Sequence, residues 1–347
     1  MDSAYGLMYG ELIGDSLGLR YEFKKARIVG QLIQNDLDSN GFLPILGGGK
    51  YKLEPGQLSD DSEMALCLAR SLVACDGFDI HDVACSYCYW MMSGPMCAGR
   101  TTKNALLYNA SAKNMPENWR EALTQEEKAQ IYHQNETKVN QKNQNSLSNG
   151  ALMRVSPLAI KYRDDPQLGT YARKDASITH TSDIIKNASE VYVTALATLL
   201  KGSSKEDAYE AAMKVVKNDD VKRICLAART HTGKFLINKK ISYGDDSFQG
   251  YYGIALQNAF YQLLHATSFY EGLLNTIKIG GDTDTNGAIA SSLLGARFGI
   301  KGIPEDWVKI VKNAEPVRKS RKDKRKNMDL AFLSAKDLDE LVEKIYK

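Results

Sequence analysis

The segment Gly6-Leu7-Met8-Tyr9-Gly10-Glu11-Leu12-Ile13-Gly14-Asp15-Ser16-Leu17-Gly18 places a glycine at every fourth position. Residues four apart lie on one face of an α-helix, so a helix here would present a stripe of glycines. Each glycine inside a helix costs roughly 1 kcal/mol relative to alanine, and four of them therefore need a reason. Close approach of another backbone supplies that reason, and the segment predicts a tightly packed helical core.

A second stripe of small residues occurs in a later predicted helix. Ala288, Ser292, Gly295 and Gly299 recur at near-helical spacing late in the chain. Because small side chains let two helix backbones come close, we expect this stripe to pack against the glycines of the first segment.

Two short acidic clusters lie far apart in the chain, and each stands directly before an apolar helical run. They read Ser59-Asp60-Asp61-Ser62 and Gly281-Asp282-Thr283-Asp284-Thr285-Asn286. Carboxylates gathered at one point raise one another's pKa values steeply unless cations neutralise them. If the fold brings the clusters together, we expect an oxygen-only site for two hard divalent ions.

Each cluster also has a purely structural interpretation. Ser59 can cap the helix that follows, and carboxylates in a first helical turn gain roughly 0.3 to 1 kcal/mol each from the helix dipole. Residues 282–286 can likewise form a turn and cap before Ala288. The residues taken alone leave both interpretations open.

Two further motifs resemble known binding loops but lack residues that those loops require. The run from Asp282 imitates the start of a calcium-binding EF-hand loop, but its twelfth position is Leu293, where a bidentate glutamate is required. The run Gly47-Gly48-Gly49-Lys50 lacks the first spaced glycine and the Ser/Thr of a phosphate-binding loop. We expect it to form a turn.

Apolar residues at spacings of three and four dominate the chain and predict an all-α protein. The predicted helices cover residues 63–74, 83–92, 189–201, 205–216, 253–265, 288–298 and 335–346. Residues 121–147 are rich in Gln, Asn and Lys and predict a mobile loop or a poorly packed helix. Residues 318–326 hold seven basic side chains and predict a solvated surface connection, with nucleic-acid binding as the less favoured alternative.

Composition sets broad limits on the chain. Its 347 residues are 43% hydrophobic and 25% charged, enough to bury a large core, and we expect residues 1–347 to form one domain. No run of about 18 apolar residues occurs and the start lacks a signal-type segment, so we expect a cytoplasmic protein without membrane contact. The six cysteines show no disulfide framework and are expected to be reduced thiols.

Five blocks in this order resemble the ADP-ribosylglycohydrolase family, which includes the dinitrogenase-reductase-activating type and the animal ADP-ribosylhydrolases. The blocks are Gly14-Asp15-Ser16-Leu17-Gly18 with Glu22, residues 59–62, Ser148-Asn149-Gly150-Ala151-Leu152-Met153-Arg154, Thr179-His180, and residues 281–286. The resemblance implies a compact orthogonal multi-helix bundle with a dinuclear metal site. In such a fold the two acidic clusters meet.

The resemblance also implies a ligand set for two Mg²⁺ ions, with Mn²⁺ as a possible substitute. The implied ligands are Ser59, Asp60, Asp61, Asp282, Asp284 and Thr285. Oxygen donors without histidine or cysteine suit these ions better than zinc. The ions would hold the distal ribose through its hydroxyl groups.

The implied reaction is hydrolysis of the bond between C1 of that ribose and a protein side chain, which releases ADP-ribose. Catalytic roles fall to Glu22, Asp61 and Asp284. Substrate-binding roles fall to Ser146, Ser148, Asn149, Gly150, Cys97, His180 and Tyr251. Arg154 and His180 also have structural explanations, as a loop-tying arginine and a satisfied polar group.

The chain departs from the family pattern at two positions. Cys97 stands where many arginine-directed relatives carry an aspartate, and Leu147 stands where relatives often carry an aromatic ring that stacks on adenine. Adenine stacking would then fall to another ring, such as Tyr132 or Tyr108, or be weaker. The run Gly250-Tyr251-Tyr252 resembles an aromatic stretch of arginine-specific members and favours an arginine linkage, with a serine linkage and free ADP-ribose derivatives left open.

Three functions remain open at this point. The first is an active ADP-ribosyl-protein hydrolase, expected to act as a monomer on ADP-ribosylated proteins. The second is an ADP-ribose-binding module with slow turnover, which Cys97 makes plausible. The third is a structural or interaction protein on the same scaffold, which the complete acidic clusters disfavour most.

Overall fold

The computed structural model describes residues 1–237, 240–317, 325 and 328–347. Over these residues the chain is mostly helical, as the apolar periodicity predicts. The helices are α1 (Asp2–Gly18), α2 (Ala26–Asp36), α3 (Asp60–Ala74), α4 (Ile80–Met92), α5 (Arg100–Leu106), α6 (Trp119–Ala122), α7 (Gln125–Lys142), α8 (Pro157–Lys161), α9 (Leu168–Ser177), α10 (Asp183–Leu200), α11 (Lys205–Lys214), α12 (Asp219–Ala227), α13 (Tyr252–His265), α14 (Phe269–Lys278), α15 (Thr283–Phe298), α16 (Glu305–Asn313) and α17 (Leu338–Tyr346). Each predicted helix is present, with ends shifted by up to two turns. None of the described helices is long and apolar enough to cross a bilayer.

Four short strands accompany the helices in the described part of the chain. They are β1 (Lys24–Lys25), β2 (Phe235–Ile237), β3 (Lys240–Ser242) and β4 (Gly280–Gly281). Strand β1 pairs antiparallel with β4, and β2 pairs antiparallel with β3. Each pair is a short two-stranded sheet of two or three residues per strand, so neither forms a layer of the fold.

Helices α1 and α15 pack backbone to backbone and run antiparallel. A Cβ atom added to Gly6 would lie 2.2 Å from the carbonyl oxygen of Gly295, and one added to Gly10 would lie 2.3 Å from that of Ser291. Real Cβ atoms do not come this close, so only glycine fits at these contacts. The predicted pairing is confirmed, but Ser291, rather than Ser292 of the predicted stripe, lies opposite Gly10.

The pairing of β1 with β4 brings the two ends of this helix pair to one place. The amide of Phe23 donates to the carbonyl oxygen of Gly281 at 2.6 Å, just beyond the end of α1 and just before the start of α15. Glu22 therefore lies beside Asp282 although 260 residues separate them in the chain. Helix α3 starts close by, because buried Asp15 of α1 holds its first turn.

The prediction of a mobile or poorly packed segment over residues 121–147 is wrong. Helix α7 occupies most of it and begins with a capping box in which Thr124 and Glu127 bond reciprocally to each other's backbone. Ile131, Asn135 and Val139 lie four apart and are buried, and α7 packs there on α4 and α5. The average composition of the segment does not reveal this narrow apolar stripe. One buried row of side chains is enough to pack a helix whose other faces are polar.

The basic run also differs from its prediction at the one position that can be assessed. Residues 318–324 and 326 lie outside the described part of the chain. Arg325 is fully buried, and its guanidinium bonds both carboxylate oxygens of Glu63 at 2.7 Å. At this residue the predicted solvated surface is therefore wrong, because an ion pair draws the side chain into the core.

Candidate active site

A cleft of about 620 Å³ opens where the ends of α1 and α15 meet. Its floor contains residues of both acidic clusters, and its walls come from the loops that precede α5, α8 and α13. The lining includes eleven of the predicted site residues: Glu22, Cys97, Ser146, Ser148, Asn149, Gly150, Tyr251 and an acidic set of four. The acidic set at the cleft surface is Asp60, Asp282, Asp284 and Thr285.

The carboxylates of the floor converge. Glu22, Asp282 and Asp284 each offer an oxygen, and these atoms all lie within 4.8 Å of one another. Asp61 is buried just behind them and raises the pKa of Asp284 through its charge. The two acidic clusters, more than 200 residues apart in sequence, thus meet as the resemblance implies.

Crowding and burial shift the titration of this group strongly. Burial, followed by the charges of Asp282 and Asp60, raises the pKa of Glu22 to about 8. Burial, together with neighbouring carboxylates, raises the pKa values of Asp61 and Asp284 well above the ordinary range. A bound cation would relieve this repulsion and return the carboxyl groups to their charged forms.

The donor set fits a hard divalent ion. Glu22 Oε2, Asp61 Oδ1 and Asp15 Oδ1 are buried oxygen atoms without a hydrogen-bond partner. Unpartnered buried oxygens are costly, and carboxylate oxygens are the ligands that Mg²⁺ and Ca²⁺ prefer. The chemistry of the donors therefore favours an ion over simple helix capping as the full explanation of the clusters.

The two predicted hydroxyl ligands are held in place by their own clusters. The Ser59 hydroxyl donates to Asp61 Oδ2 at 2.7 Å and also caps α3, so its structural interpretation holds as well. The Thr285 hydroxyl donates to Asp282 Oδ1 at 3.2 Å. Both oxygens keep lone pairs that a cation can use.

Asp15 is a site residue to which the sequence analysis assigned no role. Its Oδ2 accepts hydrogen bonds from the amides of Ser59 and Ser62 and from the Ser62 hydroxyl, at 2.5 to 3.2 Å. It thereby fastens the first acidic cluster to α1. Burial raises the pKa of Asp15 to about 6. The sequence feature that could have indicated this role is its position directly after Gly14, on the helix whose glycines pack against α15.

A row of hydroxyl groups forms one wall of the cleft. Ser146 Oγ lies 2.7 Å from Thr101 Oγ1, and Ser148 Oγ lies 2.9 Å from His180 Nε2. Asn149 turns toward the floor, where its side-chain amide donates to Asp282 Oδ2 at 2.7 Å. The predicted segment 146–150 thus joins the wall to the acidic floor.

His180 lies behind this wall and does not line the cleft. It is fully buried, and burial with the nearby Arg154 charge lowers the pKa of its imidazole to about 3. The neutral ring therefore orients Ser148. Arg154 pairs with buried Asp175 at 3.0 Å, in agreement with its structural explanation.

Four aromatic rings line the cleft: Phe23, Tyr51, Phe248 and Tyr251. The alternatives for adenine stacking, Tyr108 and Tyr132, are wrong, since neither lines it. Tyr108 is exposed, and Tyr132 packs on His81 with ring centroids 5.4 Å apart.

Tyr251 is held in place through both its hydroxyl group and its backbone. Its hydroxyl donates to Asp220 Oδ2 at 2.8 Å, while its backbone bridges to Ser148 across the cleft wall. The ring therefore presents its face, and not its hydroxyl, to a ligand.

Cys97 lies in the loop between α4 and α5, not in a helix core. Its thiol donates to Asp60 Oδ1 at 2.9 Å. Burial and the Asp60 charge raise its pKa well above the ordinary value, so the sulfur stays protonated. The thiol is thus a neutral neighbour of the acidic floor.

The glycine run 47–49 forms the predicted turn. All three glycines have positive φ, between 65° and 85°, which residues with a Cβ adopt rarely. The turn carries Tyr51 into the cleft wall and sets Lys50 Nζ 4.7 Å from the Phe23 ring centroid.

Comparisons with known proteins agree with this geometry. An ADP-ribosyl-[dinitrogen reductase] glycohydrolase of Rhodospirillum rubrum is 25% identical over 88% of this chain and 89% of its own length. An ADP-ribosylarginine hydrolase of Pseudomonas putida is 24% identical over 92% of this chain and 76% of its own length. An ADP-ribosylhydrolase of Mus musculus is 25% identical over 87% of this chain and 85% of its own length.

A solved structure has the same fold. It is described as an ADP-ribosylglycohydrolase-related protein complex, and it superposes with a TM-score of 0.69 at 24% identity. The match covers 99% of this chain and 97% of the other. The sequence model described as ADP-ribosylglycohydrolase matches residues 1–346, and the chain therefore belongs to the ADP-ribosylglycohydrolase family.

Proposed function

We propose that this protein hydrolyses the glycosidic bond that links ADP-ribose to a protein side chain and releases ADP-ribose. The convergence of Glu22, Asp282 and Asp284 in a cleft of about 620 Å³ carries the proposal. Clefts of this size hold ligands as large as a nucleotide sugar. Membership of a family that cleaves ADP-ribose linkages supports the same reaction class.

We propose further that two Mg²⁺ ions occupy the acidic floor, with Mn²⁺ able to replace them. Ser59, Asp60, Asp61, Asp282, Asp284 and Thr285 would hold them. Asp61 Oδ1, a buried oxygen of this set without a hydrogen-bond partner, supports the assignment, as does the convergence of Asp282 and Asp284. Bound there, the ions would supply positive charge that orients the ribose hydroxyls.

The chain's own groups can then serve the bond cleavage. As the bond from C1 to the leaving nitrogen or oxygen breaks, C1 gains positive character, which the nearby carboxylates stabilise electrostatically. Glu22 lines the cleft, and in its charged form its carboxylate can accept the proton of the water that adds to C1. The leaving group takes the electron pair of the broken bond and a proton.

The hydroxyl wall and the aromatic rings can position the rest of the ligand. Ser146, Ser148 and the backbone around Gly150 offer hydrogen bonds to the ADP portion. We propose arginine as the modified residue, supported by the ring face of Tyr251 in the cleft and by the relative named as an ADP-ribosylarginine hydrolase.

A slow ADP-ribose-binding module is the second candidate, because the neutral thiol of Cys97 adds no charge beside Asp60. One experiment separates the two functions. Release of ADP-ribose from arginine-linked and serine-linked proteins is measured side by side, in Mg²⁺ and in EDTA, with Asp284→Asn as the inactive control. Turnover of the arginine linkage in Mg²⁺ alone supports the proposal. Binding of ADP-ribose without turnover of either linkage overturns it in favour of the binding module.

A further inference from the structure

Exposed apolar side chains gather beside the cleft. The described residues expose ten large apolar side chains, and five of them lie in two segments that border the cleft: residues 23–25, and residues 235–237 with 240–248. We call these five the apolar rim: Phe23, Leu236, Ile241, Tyr243 and Phe248. Contiguous apolar surface of this kind marks an interaction site more often than single scattered side chains do.

The two segments of the rim are bonded to each other and meet at the cleft. The amide of Ala26 donates to Asp245 Oδ2 at 2.8 Å, and Lys25 Nζ donates to the carbonyl oxygen of Asp245 at 2.7 Å. Phe23 and Phe248 both line the cleft, one from each segment. The rim therefore begins at the cleft and continues outward.

The hairpin of β2 and β3 extends the rim away from the cleft. Phe235 and Ile237 are buried against Ile254 on its inner face. Leu236 and Ile241 lie opposite each other on the outer face and are 42% and 69% exposed. This cross-strand pair can stabilise the hairpin, but it also leaves apolar area on the outer face that a partner can cover.

Charged side chains beside the rim contact one another. Lys25 Nζ lies 3.7 Å from Asp245 and 3.4 Å from Asp246. Asp246 also accepts a hydrogen bond from the amide of Tyr243 at 2.8 Å. These charged groups are thus engaged within the chain, and the rim offers a partner its apolar area.

We propose that the apolar rim binds the surface of the ADP-ribosylated protein around its modified side chain. The inference rests on the proposed function. Phe23 directly follows Glu22, so the rim lies on the side of the cleft where the carboxylates converge and the bond is cut. A folded target whose ADP-ribose fills the cleft must cover that side. The target that fits is one with apolar side chains flanking its modified residue.

The test compares a macromolecular with a small substrate. The variant is Leu236→Thr with Ile241→Thr, which places a residue of high strand propensity at both positions of the hairpin and removes apolar area. Its matched control is Leu226→Gln, a 46% exposed apolar residue of α12 that does not line the cleft. The substrates are a folded protein carrying ADP-ribosylarginine and free ADP-ribosylarginine. Melting curves check that each variant folds, and the two single variants replace the double one if it does not.

We expect the double variant to lose about tenfold in kcat/KM on the modified protein and nothing on free ADP-ribosylarginine. The control should change neither value. Equal values for wild type and double variant on the protein, or an equal loss on both substrates, would overturn the inference. The Kd for the modified protein, compared with the Kd for ADP-ribose, tests the rim without turnover. An inactive wild type whose modified-protein Kd still depends on the rim would refute the proposed function alone.

Discussion

Gly14 and Gly287 contact each other backbone to backbone. A Cβ atom on Gly14 would lie 2.3 Å from the carbonyl oxygen of Gly287, and one on Gly287 would lie 2.5 Å from that of Gly14. Asp15 follows the first glycine, and Asp284 lies one turn before the second. The contact therefore fixes the distance between two parts of the acidic floor.

Adding one methyl group at this contact should separate the helices. We expect Gly14→Ala to lower the free energy of unfolding by about 3 kcal/mol, because rigid backbone blocks the new Cβ. The matched control is Gly30→Ala in α2, where a Cβ meets nothing within 4 Å. That variant should gain up to about 1 kcal/mol. Chemical denaturation measures both, and a Gly14→Ala protein as stable as wild type would refute the contact.

Binding of Mg²⁺ should stabilise the fold. At a concentration one hundred times its Kd, a ligand adds about 2.7 kcal/mol, which raises the melting temperature by several degrees. Asp61→Asn and Asp284→Asn should abolish this rise, because each removes a carboxylate from the floor. Asp306→Asn, at an exposed position in the first turn of α16, should keep it. Identical melting of wild type in Mg²⁺ and in EDTA would rule out the ion site.

The carboxyl group of Glu22 should matter for turnover more than for binding. We expect Glu22→Gln to retain the fold and the affinity for ADP-ribose but to lose on the order of a hundredfold in kcat. Glu54→Gln, on an exposed loop, is the control for loss of one carboxylate. Calorimetry with ADP-ribose and single-turnover rates separate the two effects. A Glu22→Gln enzyme with normal kcat would leave the residue with a structural role.

Cys97 offers a gain-of-function test. Cys97→Asp places a second carboxylate beside Asp60, which repels it in EDTA and should lower the melting temperature there. In Mg²⁺ we expect the loss to shrink and arginine-linked turnover to rise, because the new carboxylate can pair with the guanidinium. Cys97→Ser keeps a donor toward Asp60 and should behave as wild type. Lost stability in Mg²⁺ with no gain in rate would separate Cys97 from the reaction.

Glu11 gives the fold a pH dependence that arises outside the proposed ion site. It is buried with one unpartnered oxygen and accepts hydrogen bonds from Ser156 and Ser292. Burial raises its pKa from 4.5 to about 8. The folded state then holds a proton that the unfolded state releases, so stability is full below pH 4.5 and declines as the pH rises to 8.

Removing the charge of Glu11 should remove that decline. Glu11→Gln is expected to match wild type at pH 5 and to melt several degrees higher at pH 8. Both proteins are measured in EDTA, so that the acidic floor contributes equally to each. A constant difference between them at all pH values would contradict the assignment.

The helices and the acidic floor could be predicted because their signals are local or repeat in the chain. Glycines four apart predicted the contact of α1, and two acidic clusters before helices predicted where the carboxylates lie. Asp15 was missed for a different reason. Its partners, Ser59 and Ser62, lie 44 and 47 residues away, and nothing near it in sequence shows that its oxygens accept their amides.

The aromatic lining of the cleft could not be predicted either. Phe23 and Phe248 reach the same cleft only because Asp245 bonds to Lys25 and Ala26 across more than 200 residues. Tyr132 was one of the two expected rings, but α7 directs it toward His81. The firm packing of helix α7 was missed since four buried positions in eighteen residues barely change the average composition.

The buried pair of Arg325 and Glu63 has a consequence for any shortened form of this protein. Glu63 belongs to α3, whose first residues are Asp60 and Asp61, and it also accepts the indole N–H of Trp90 at 2.7 Å. A chain cut after Val317 would leave that carboxylate in the interior without its guanidinium, beside several others of the same sign. Helix α17, which packs on α3, would go as well. Deletion of the last thirty residues would thus disturb α3 and, with it, the acidic floor that α3 helps to form. A fusion partner should therefore be attached after Lys347 and should not replace this segment.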